Sequence, residues 1–323
     1  FITAPEISQV FGELIGLWCA EIWRTTLAPR AARLVELGPG RGTLMADALR
    51  AGHMAPGFVD AVSVHLVETS PVLRQMQRRA LATTAASWHD TLDDVPSGPA
   101  LIVANEFLDA LPVHQLVLTG AGWRERLIGL GNAGESLRFT LATAASPLEA
   151  AIPEQVRAAA RPGDVAEICP AAIEHAQAIG HRLATQGGAA LFVDYGHERS
   201  APGDTLQALR AHEPHDPLRD PGEADLTAHV DFARVAAAAR QAGAAVHGPV
   251  TQRDLLTRLG IEARTERLVR NATAAQVRNI RSACHRLIAP DEMGTLFKAM
   301  ALTPESAPAP PGFELSQEDA ATG

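Results

Sequence analysis

Apolar residues recur at helical spacing from the start of the chain: Ile7, Val10, Phe11, Leu14, Ile15, Trp18 and Ile22 fall on one face. The spacing predicts an amphipathic helix from Thr3 to Trp23, with Thr3 and Glu6 placed to form a capping box. An alternation follows. Arg33–Leu37, Val62–Val67, Ala86–Trp88 and Leu101–Ala104 read as buried strands, and Thr43–Arg50 and Pro71–Leu81 as helices. Strand–helix units of this size predict an α/β fold, a Rossmann-like parallel sheet wound by right-handed crossovers.

The pattern then changes. His114–Leu118, Arg124–Leu130 and Leu137–Ala142 are short strands split by Thr119–Gly122 and Gly131–Gly134, which predicts an antiparallel meander inserted into the parallel sheet. Ala171–Thr185 returns to helix, and Ala189–Asp194 is a fifth core strand. Glu198–Leu226 is rich in Pro, Asp, His and Arg and reads as a long loop, functional or mobile. Phe232–Ala242 reads as a helix and Ala244–Gly248 as a strand. Two or three helices between Gln252 and Ile288 form a helical insertion before the last strand, Thr295–Leu302. One domain is expected over 1–302, with core segments near 31–113, 171–196, 230–250 and 293–302. Insertions fall near 114–170, 197–229 and 251–292, and a disordered tail near 303–323.

Composition narrows the chemistry. Net charge is −9, which disfavours a general affinity for nucleic-acid phosphates. Aromatic residues are 4 %, leaving few platforms for base stacking. No apolar run reaches the ~18 residues of a membrane span, so no membrane insertion is expected. Cys19, Cys169 and Cys284 lie far apart without C-x-x-C spacing, which suggests neither a disulfide framework nor a zinc knuckle and fits a reducing compartment. His212 and His215 sit in a Pro-rich loop and read as solvated side chains, so no metal site is expected.

The sharpest motif is Glu36-Leu37-Gly38-Pro39-Gly40-Arg41-Gly42-Thr43, which follows the first strand and opens a helix. Its G-x-G-x-G spacing differs from the nicotinamide fingerprint G-x-G-x-x-G, whose last glycine position is Thr43 here. Gly38, Gly40 and Gly42 let the backbone turn tightly and lie close to a ligand. Glu36 can help to hold the ammonium of a methionine moiety, whereas a phosphate site favours bare amides. A ligand-free strand–helix turn would use the same glycines. Glu68 ends the second strand, where a carboxylate accepts from ribose hydroxyls. Asp90 follows the third, where an adenine amino group would lie, although an exposed loop aspartate reads nearly as well. The set points to S-adenosylmethionine and a class I methyltransferase sheet.

Ligands bind outside the carboxyl ends of strands in such sheets. The fourth strand ends in Asn105-Glu106-Phe107-Leu108-Asp109, so Asn105 can contact the methionine portion, and Glu106 and Asp109 can hold a cationic acceptor. A guanidinium suits two carboxylates because its planar fork donates to both. Equally, Asp109 reads as a cap and Glu106 as structural. Tyr195, at the end of the fifth strand, can line the acceptor pocket or simply pack. His229 is an acceptor-site base or a structural histidine. The D-P-P-Y edge of nucleic-acid amino-methyltransferases is absent.

Taken together, the motifs resemble the MidA-like family of S-adenosylmethionine-dependent methyltransferases. The matching segments are Phe1–Gln9, Phe11–Glu13, Glu36–Leu44, Asn105–Gln115, Phe192–His197, Asp225–Phe232 and Met293–Ala299, in order along nearly the whole chain. The resemblance implies a seven-stranded methyltransferase core, S-adenosylmethionine as cofactor, and methylation of a protein arginine, including one in a respiratory complex I subunit. It implies that the N-terminal signature, with Glu6 and Gln9 as acceptor-binding candidates, folds over the cofactor or acceptor pocket. The family has residues ahead of this signature, so upstream residues are expected to be absent here, and any targeting segment with them. A bacterial member would be cytoplasmic and a eukaryotic one would work in the mitochondrial matrix. Two other readings stand beside this one: a small-molecule methyltransferase, favoured by an enclosed apolar pocket, and an S-adenosylmethionine-binding assembly chaperone with dispensable catalysis. Oligomeric state is not legible.

Overall fold

The structure is a computed structural model that describes residues 3–27, 30–131, 136–211 and 213–314. Its chain clusters into two compact units. One comprises the described residues of 108–176 and 196–237, and the other those of 2–107, 177–195 and 238–323.

The larger unit begins with α1 (Ala4–Ile7) and α2 (Gln9–Thr25). The expected single helix breaks at Ser8, which is extended and accepts from the Val10 N–H at 3.2 Å, capping α2 instead. The predicted capping box is not formed. The Thr3 side chain makes no cap, and its carbonyl accepts from the N–H groups of Glu6 and Ile7. There follow β1 (Ala32–Leu37), α3 (Thr43–Gly52), α4 (Phe58–Ala61), β2 (Val62–Val67), α5 (Pro71–Ala80), β3 (Ala86–His89) and β4 (Ala100–Asn105).

The chain then builds the smaller unit. β5 (His114–Thr119), β6 (Gly122–Leu130) and β7 (Leu137–Leu141) form the expected antiparallel meander. After α6 (Glu154–Ala159), β8 (Val165–Ile168) pairs with β5 to complete a four-stranded sheet in the order β7-β6-β5-β8. The turn 132–135 lies outside the described residues. Leu116, Trp123, Ile152, Val156, Ala166 and Ile168 form this unit's own core cluster.

α7 (Pro170–Gln186) and β9 (Gly188–His197) come next, then β10 (Gln207–Arg210), β11 (Glu213–His215), β12 (Asp225–Thr227), β13 (Val230–Asp231) and α8 (Phe232–Gln241). The segment read as a loop over 198–226 therefore contains a small antiparallel sheet, β11-β10-β12. His215 sits in it, with Nε2 3.5 Å from Asp220, while His212 lies outside the described residues. The chain ends with β14 (Ala244–Thr251), α9 (Gln252–Arg258), α10 (Ile261–Val269), α11 (Ala274–Ile288), α12 (Met293–Leu296) and β15 (Phe297–Pro304).

The main sheet runs β14-β15-β9-β4-β1-β2-β3. Its strands are parallel except β15, which is antiparallel to both β9 and β14. Central strands are covered on both faces, which is why β1, β4 and β9 read as continuous apolar runs. Phe11, Ile15 and Trp18 from α2 join Leu34, Leu101 and Leu191 of the sheet in one core. α2 lies so close to α3 that a Cβ at Gly16 would sit 2.4 Å from the Ala48 carbonyl oxygen. The expected disordered tail is corrected over 303–314. Trp18 donates to the Pro311 carbonyl at 3.0 Å, Arg258 donates to that of Gly312 at 3.0 Å, and Phe313 is buried. Residues 315–323 lie outside the described residues.

Candidate cofactor and acceptor sites

The larger unit carries the glycine loop between β1 and α3. Gly38, Gly40 and Gly42 all have positive φ, at 60°, 52° and 85°, a backbone that other residues adopt at a cost. A Cβ at Gly40 would meet nothing within 4 Å, so the main chain there faces open space. Glu36 enters the loop from β1 and is 3 % exposed. Burial pushes its carboxyl up to about 8, and the Met45 N–H donates to it in partial opposition. Its Oε2 is buried with no hydrogen-bond partner. An orphaned carboxylate oxygen beside an open, Cβ-free cradle fits a ligand with a positive charge.

One residue that sequence reasoning missed holds this loop together. Gln77, fully buried on α5, donates from Nε2 to the Gly40 carbonyl at 2.8 Å and to Glu68 at 3.2 Å. Its Oε1 accepts from the Trp88 indole at 2.8 Å. Glu68 also accepts from the Ser70 N–H at 2.7 Å, so it sits at the mouth of β2 in a fixed orientation. Asp90 is exposed and paired with Arg74 at 2.6 Å, and Arg74 also donates to the carbonyls of Glu68 and His89. His65 and His89 meet ring to ring, with 2.9 Å between nitrogens. Burial, then His89 and two arginines, push His65 down to about 4.

At the end of β4, Asn105 is buried with Oδ1 lacking a hydrogen-bond partner, and its Nδ2 donates to Glu106 at 3.3 Å. Glu106 has φ 49°, a strained conformation for a non-glycine residue. Its Oε1 accepts from the Ala4 N–H at 3.0 Å. Glu6 pairs with Arg41 of the glycine loop at 3.2 Å. Ala4 and Glu6 thus bring the N-terminal segment against the β4 edge and the loop. Gln9 is exposed and donates from Nε2 to Glu13 at 3.4 Å. Asp194, a second residue missed from the sequence, is 1 % exposed and accepts from the Phe107 N–H at 3.1 Å, fixing the turn after β4. Tyr195 packs in the core against Phe297, with ring centroids 5.4 Å apart.

Asp109 and His229 belong to the smaller unit, where they line one cavity of about 50 Å³. Asp109 is 3 % exposed, and its carbonyl accepts from the Ala228 N–H at 3.0 Å, next to His229. His229 is anchored through its N–H to the Thr205 hydroxyl at 2.9 Å. Burial, then the neighbouring His197, lower its pKa, so the imidazole is neutral near pH 7. Glu167, Asp231, His197 and Arg234 also face the cavity. Glu167 is committed to the fold: it accepts from Gln115, Thr205 and Leu206. The four catalytic candidates therefore divide, Glu106 and Tyr195 in one unit, Asp109 and His229 in the other.

Strand order, glycine cradle and strand-end acids define a class I S-adenosylmethionine-dependent methyltransferase. The chain belongs to the family described as "Putative S-adenosyl-L-methionine-dependent methyltransferase", whose model matches residues 14–250. It is 37 % identical over 332 residues to Protein arginine methyltransferase NDUFAF7, mitochondrial, of Xenopus laevis, covering 95 % of this chain and 75 % of that one. The Mus musculus protein of the same name is 39 % identical over 330 residues, covering 94 % and 74 %. A crystal structure from Burkholderia thailandensis, bound to S-adenosyl-homocysteine, superposes with TM-score 0.80 at 29 % identity, covering all of this chain and 82 % of that one. The cofactor is S-adenosylmethionine. No described helix is long and apolar enough to cross a membrane, and no cluster of possible metal ligands occurs among the described residues.

Proposed function

We propose that the protein transfers methyl groups to arginine side chains of another protein, in a eukaryote within the mitochondrial matrix and in a bacterium within the cytoplasm. The observation that carries this reading is the buried Asp109 carboxylate sharing a small cavity with the neutral imidazole of His229. A carboxylate matches a guanidinium, and a neutral imidazole can take the proton that the nitrogen sheds. The names of the relatives support the same acceptor.

When bound, S-adenosylmethionine supplies an electrophilic methyl group. Gly38, Gly40 and Gly42 would cradle it on bare backbone. Glu36 and Asn105 would satisfy their orphaned oxygens on its methionine end, and Glu68 would accept from its ribose. Glu106, pinned by Ala4, orders the N-terminal segment over the β4 edge. Within the smaller unit, Asp109 would pair with the acceptor guanidinium, and His229 would take the proton that its nitrogen sheds on gaining the methyl group, whose bond to the cofactor's sulfur breaks. A complex I subunit is the acceptor protein in this reading.

The test is methylation of arginine-bearing proteins, complex I subunits first, with isotopically labelled cofactor and mass-spectrometric location of the label. Label on arginine, lost in Asp109→Asn with cofactor binding retained, supports the reading. Label only on small molecules would favour the second reading, to which the enclosed shape of the cavity lends weight. No label on any acceptor, with cellular function intact, would leave an assembly chaperone.

A further inference from the structure

The exposed apolar residues of the smaller unit are not scattered. Four of the six large exposed apolar residues described there, Ile128 (61 % exposed), Leu130 (64 %), Phe139 (41 %) and Leu141 (43 %), lie on β6 and β7, while Leu127 points to the other face of β6 and Leu226 sits on β12. The register pairs Ile128 with Phe139, Leu130 with Leu137 and Arg126 with Leu141. Side chains alternate across a strand, so these residues share one face of the ribbon. The Arg126 guanidinium lies 5.0 Å from the Phe139 ring on that face. Together the apolar side chains present on the order of 500 Å² to solvent, towards the upper end of what single chains leave bare.

The same ribbon ends in an open edge. β7 is terminal in its sheet, and among the described residues no strand pairs with its outer side. The ladder shows which backbone groups point outward. The Gly131 N–H donates to the Ser136 carbonyl at 2.7 Å, and the Ala142 N–H to that of Glu125 at 2.8 Å. Hydrogen-bonded and non-hydrogen-bonded pairs alternate along an antiparallel ladder. Leu137, Phe139 and Leu141 therefore occupy the non-hydrogen-bonded positions, and their N–H and C=O groups face away from β6. Edges left for solvent usually carry charges, proline or a bulge. This strand, Leu-Arg-Phe-Thr-Leu, has one charge, and Arg138 turns back to the Leu130 carbonyl at 3.1 Å.

We infer that β7 pairs antiparallel with β7 of a second copy of this chain, about a two-fold axis at Phe139. The strand is symmetric in pattern about that residue. Phe139 would face its own counterpart, Leu137 would face Leu141 of the second copy, and Arg138 would face Thr140, so no like charges are opposed. The Phe139 pair and the two Leu137–Leu141 pairs fall at outward-pointing positions, where each exchanges two backbone hydrogen bonds. A contact made by the same patch on both copies closes on itself and does not propagate. The two four-stranded sheets would become one, with their apolar faces continuous across the join. Pairing edge to edge buries the outer side of β7 and leaves the joined apolar face open, so the buried area falls short of the ~1,000 Å² of a specific interface and a weak dimer is expected.

Sedimentation velocity of the full chain from roughly 1 to 100 μM tests this. The dimer fraction is expected to rise across that range. Phe139→Lys and Phe139→Glu, each placing like charges opposite one another, should weaken it at least tenfold while leaving the thermal midpoint and cofactor binding unchanged. An equimolar mixture of the two variants should restore it, because lysine then faces glutamate. A wild-type monomer throughout the range, a dimer indifferent to both substitutions, or a mixture without rescue would each overturn the inference. If either Phe139 variant fails to fold, Leu141→Lys reads the same edge and the same weakening is expected.

Discussion

Gln77 donates to the carbonyl of Gly40 at 2.8 Å, tying a helix side chain to the middle of the cofactor loop. The bond matters because Gln77 is fully buried and also serves Glu68 and Trp88. Removing it empties a buried position and leaves the Gly40 carbonyl, Glu68 and the Trp88 indole, all partly exposed, without this shared partner. Gln77→Ala should cost about 1–3 kcal/mol of stability and weaken S-adenosylmethionine binding, because the loop loses its fixed shape. Gln77→Glu should be worse, since it sets a second carboxylate against Glu68. Chemical unfolding and calorimetric titration of both variants check this, and unchanged binding in Gln77→Ala would remove Gln77 from the site.

Gly40 supplies the complementary test. The space beside it is open, so Gly40→Arg meets no protein atom at Cβ and bears mainly the cost of a positive φ, about 1–2 kcal/mol. The folded variant should lose S-adenosylmethionine binding altogether. Retained binding in calorimetry would move the cofactor away from this loop.

A buried carboxylate behind the loop fixes the helices. Glu13 is 2 % exposed and accepts from Arg50 and Arg264, both at 2.6 Å, joining α2, α3 and α10. Both arginines keep some contact with solvent, so they are partly rehydrated when the carboxylate goes. Glu13→Gln is therefore expected to cost about 2 kcal/mol, less than a fully buried pair would. Denaturant midpoints would register it, and a shift no larger than that of an exposed Glu→Gln control would rule out the clamp.

What the sequence disclosed follows from where the physics is local. The glycine loop and the strands beside it were legible because their apolar runs and turn residues are contiguous, and the meander because glycine turns punctuate it. Gln77 was invisible: a polar residue in a polar helix acquires meaning only when α5 folds over the loop. The β11-β10-β12 sheet escaped because its strands are three or four residues long and lack alternation. The tail looked disordered from its proline and alanine, yet Phe313 reaches the core and Trp18 holds Pro311. Thr3 and Glu6 matched a capping box, but Glu6 has Arg41 as a partner and Ser8 starts the long helix. Division of the catalytic candidates between two units has no signature in a linear motif, since Glu106 and Asp109 are three residues apart.

That division gives separate expectations for the two carboxylates. Glu106 holds the Ala4 N–H, so Glu106→Gln should loosen the N-terminal segment and raise its protease sensitivity, with cofactor affinity falling severalfold. Asp109→Asn should leave cofactor affinity alone and lower methyl transfer on the order of a hundredfold, the scale of one lost electrostatic contact in a transition state. Limited proteolysis and single-turnover rates separate the two. Equal effects on binding and turnover in both variants would merge their roles.

Glu36 ties the cofactor site to pH. Burial raises its carboxyl from an ordinary 4.5 to about 8, so the ligand-free protein holds a proton there at pH 7 that the unfolded chain has lost. The sign follows: this group favours the folded state most below pH 4.5, and that contribution declines as pH rises through about 8. A cationic ligand beside Oε2 acts in the opposite direction, because a nearby positive charge favours the carboxylate. Binding of S-adenosylmethionine near pH 7 should therefore release up to one proton. Calorimetry in two buffers of different ionisation enthalpy would report it as a buffer-dependent apparent enthalpy. The dependence should vanish in Glu36→Gln and shrink in wild type as pH rises past about 8, where the carboxyl is already ionised. Identical apparent enthalpies in both buffers near pH 7 would mean that the cofactor's positive charge does not reach Glu36.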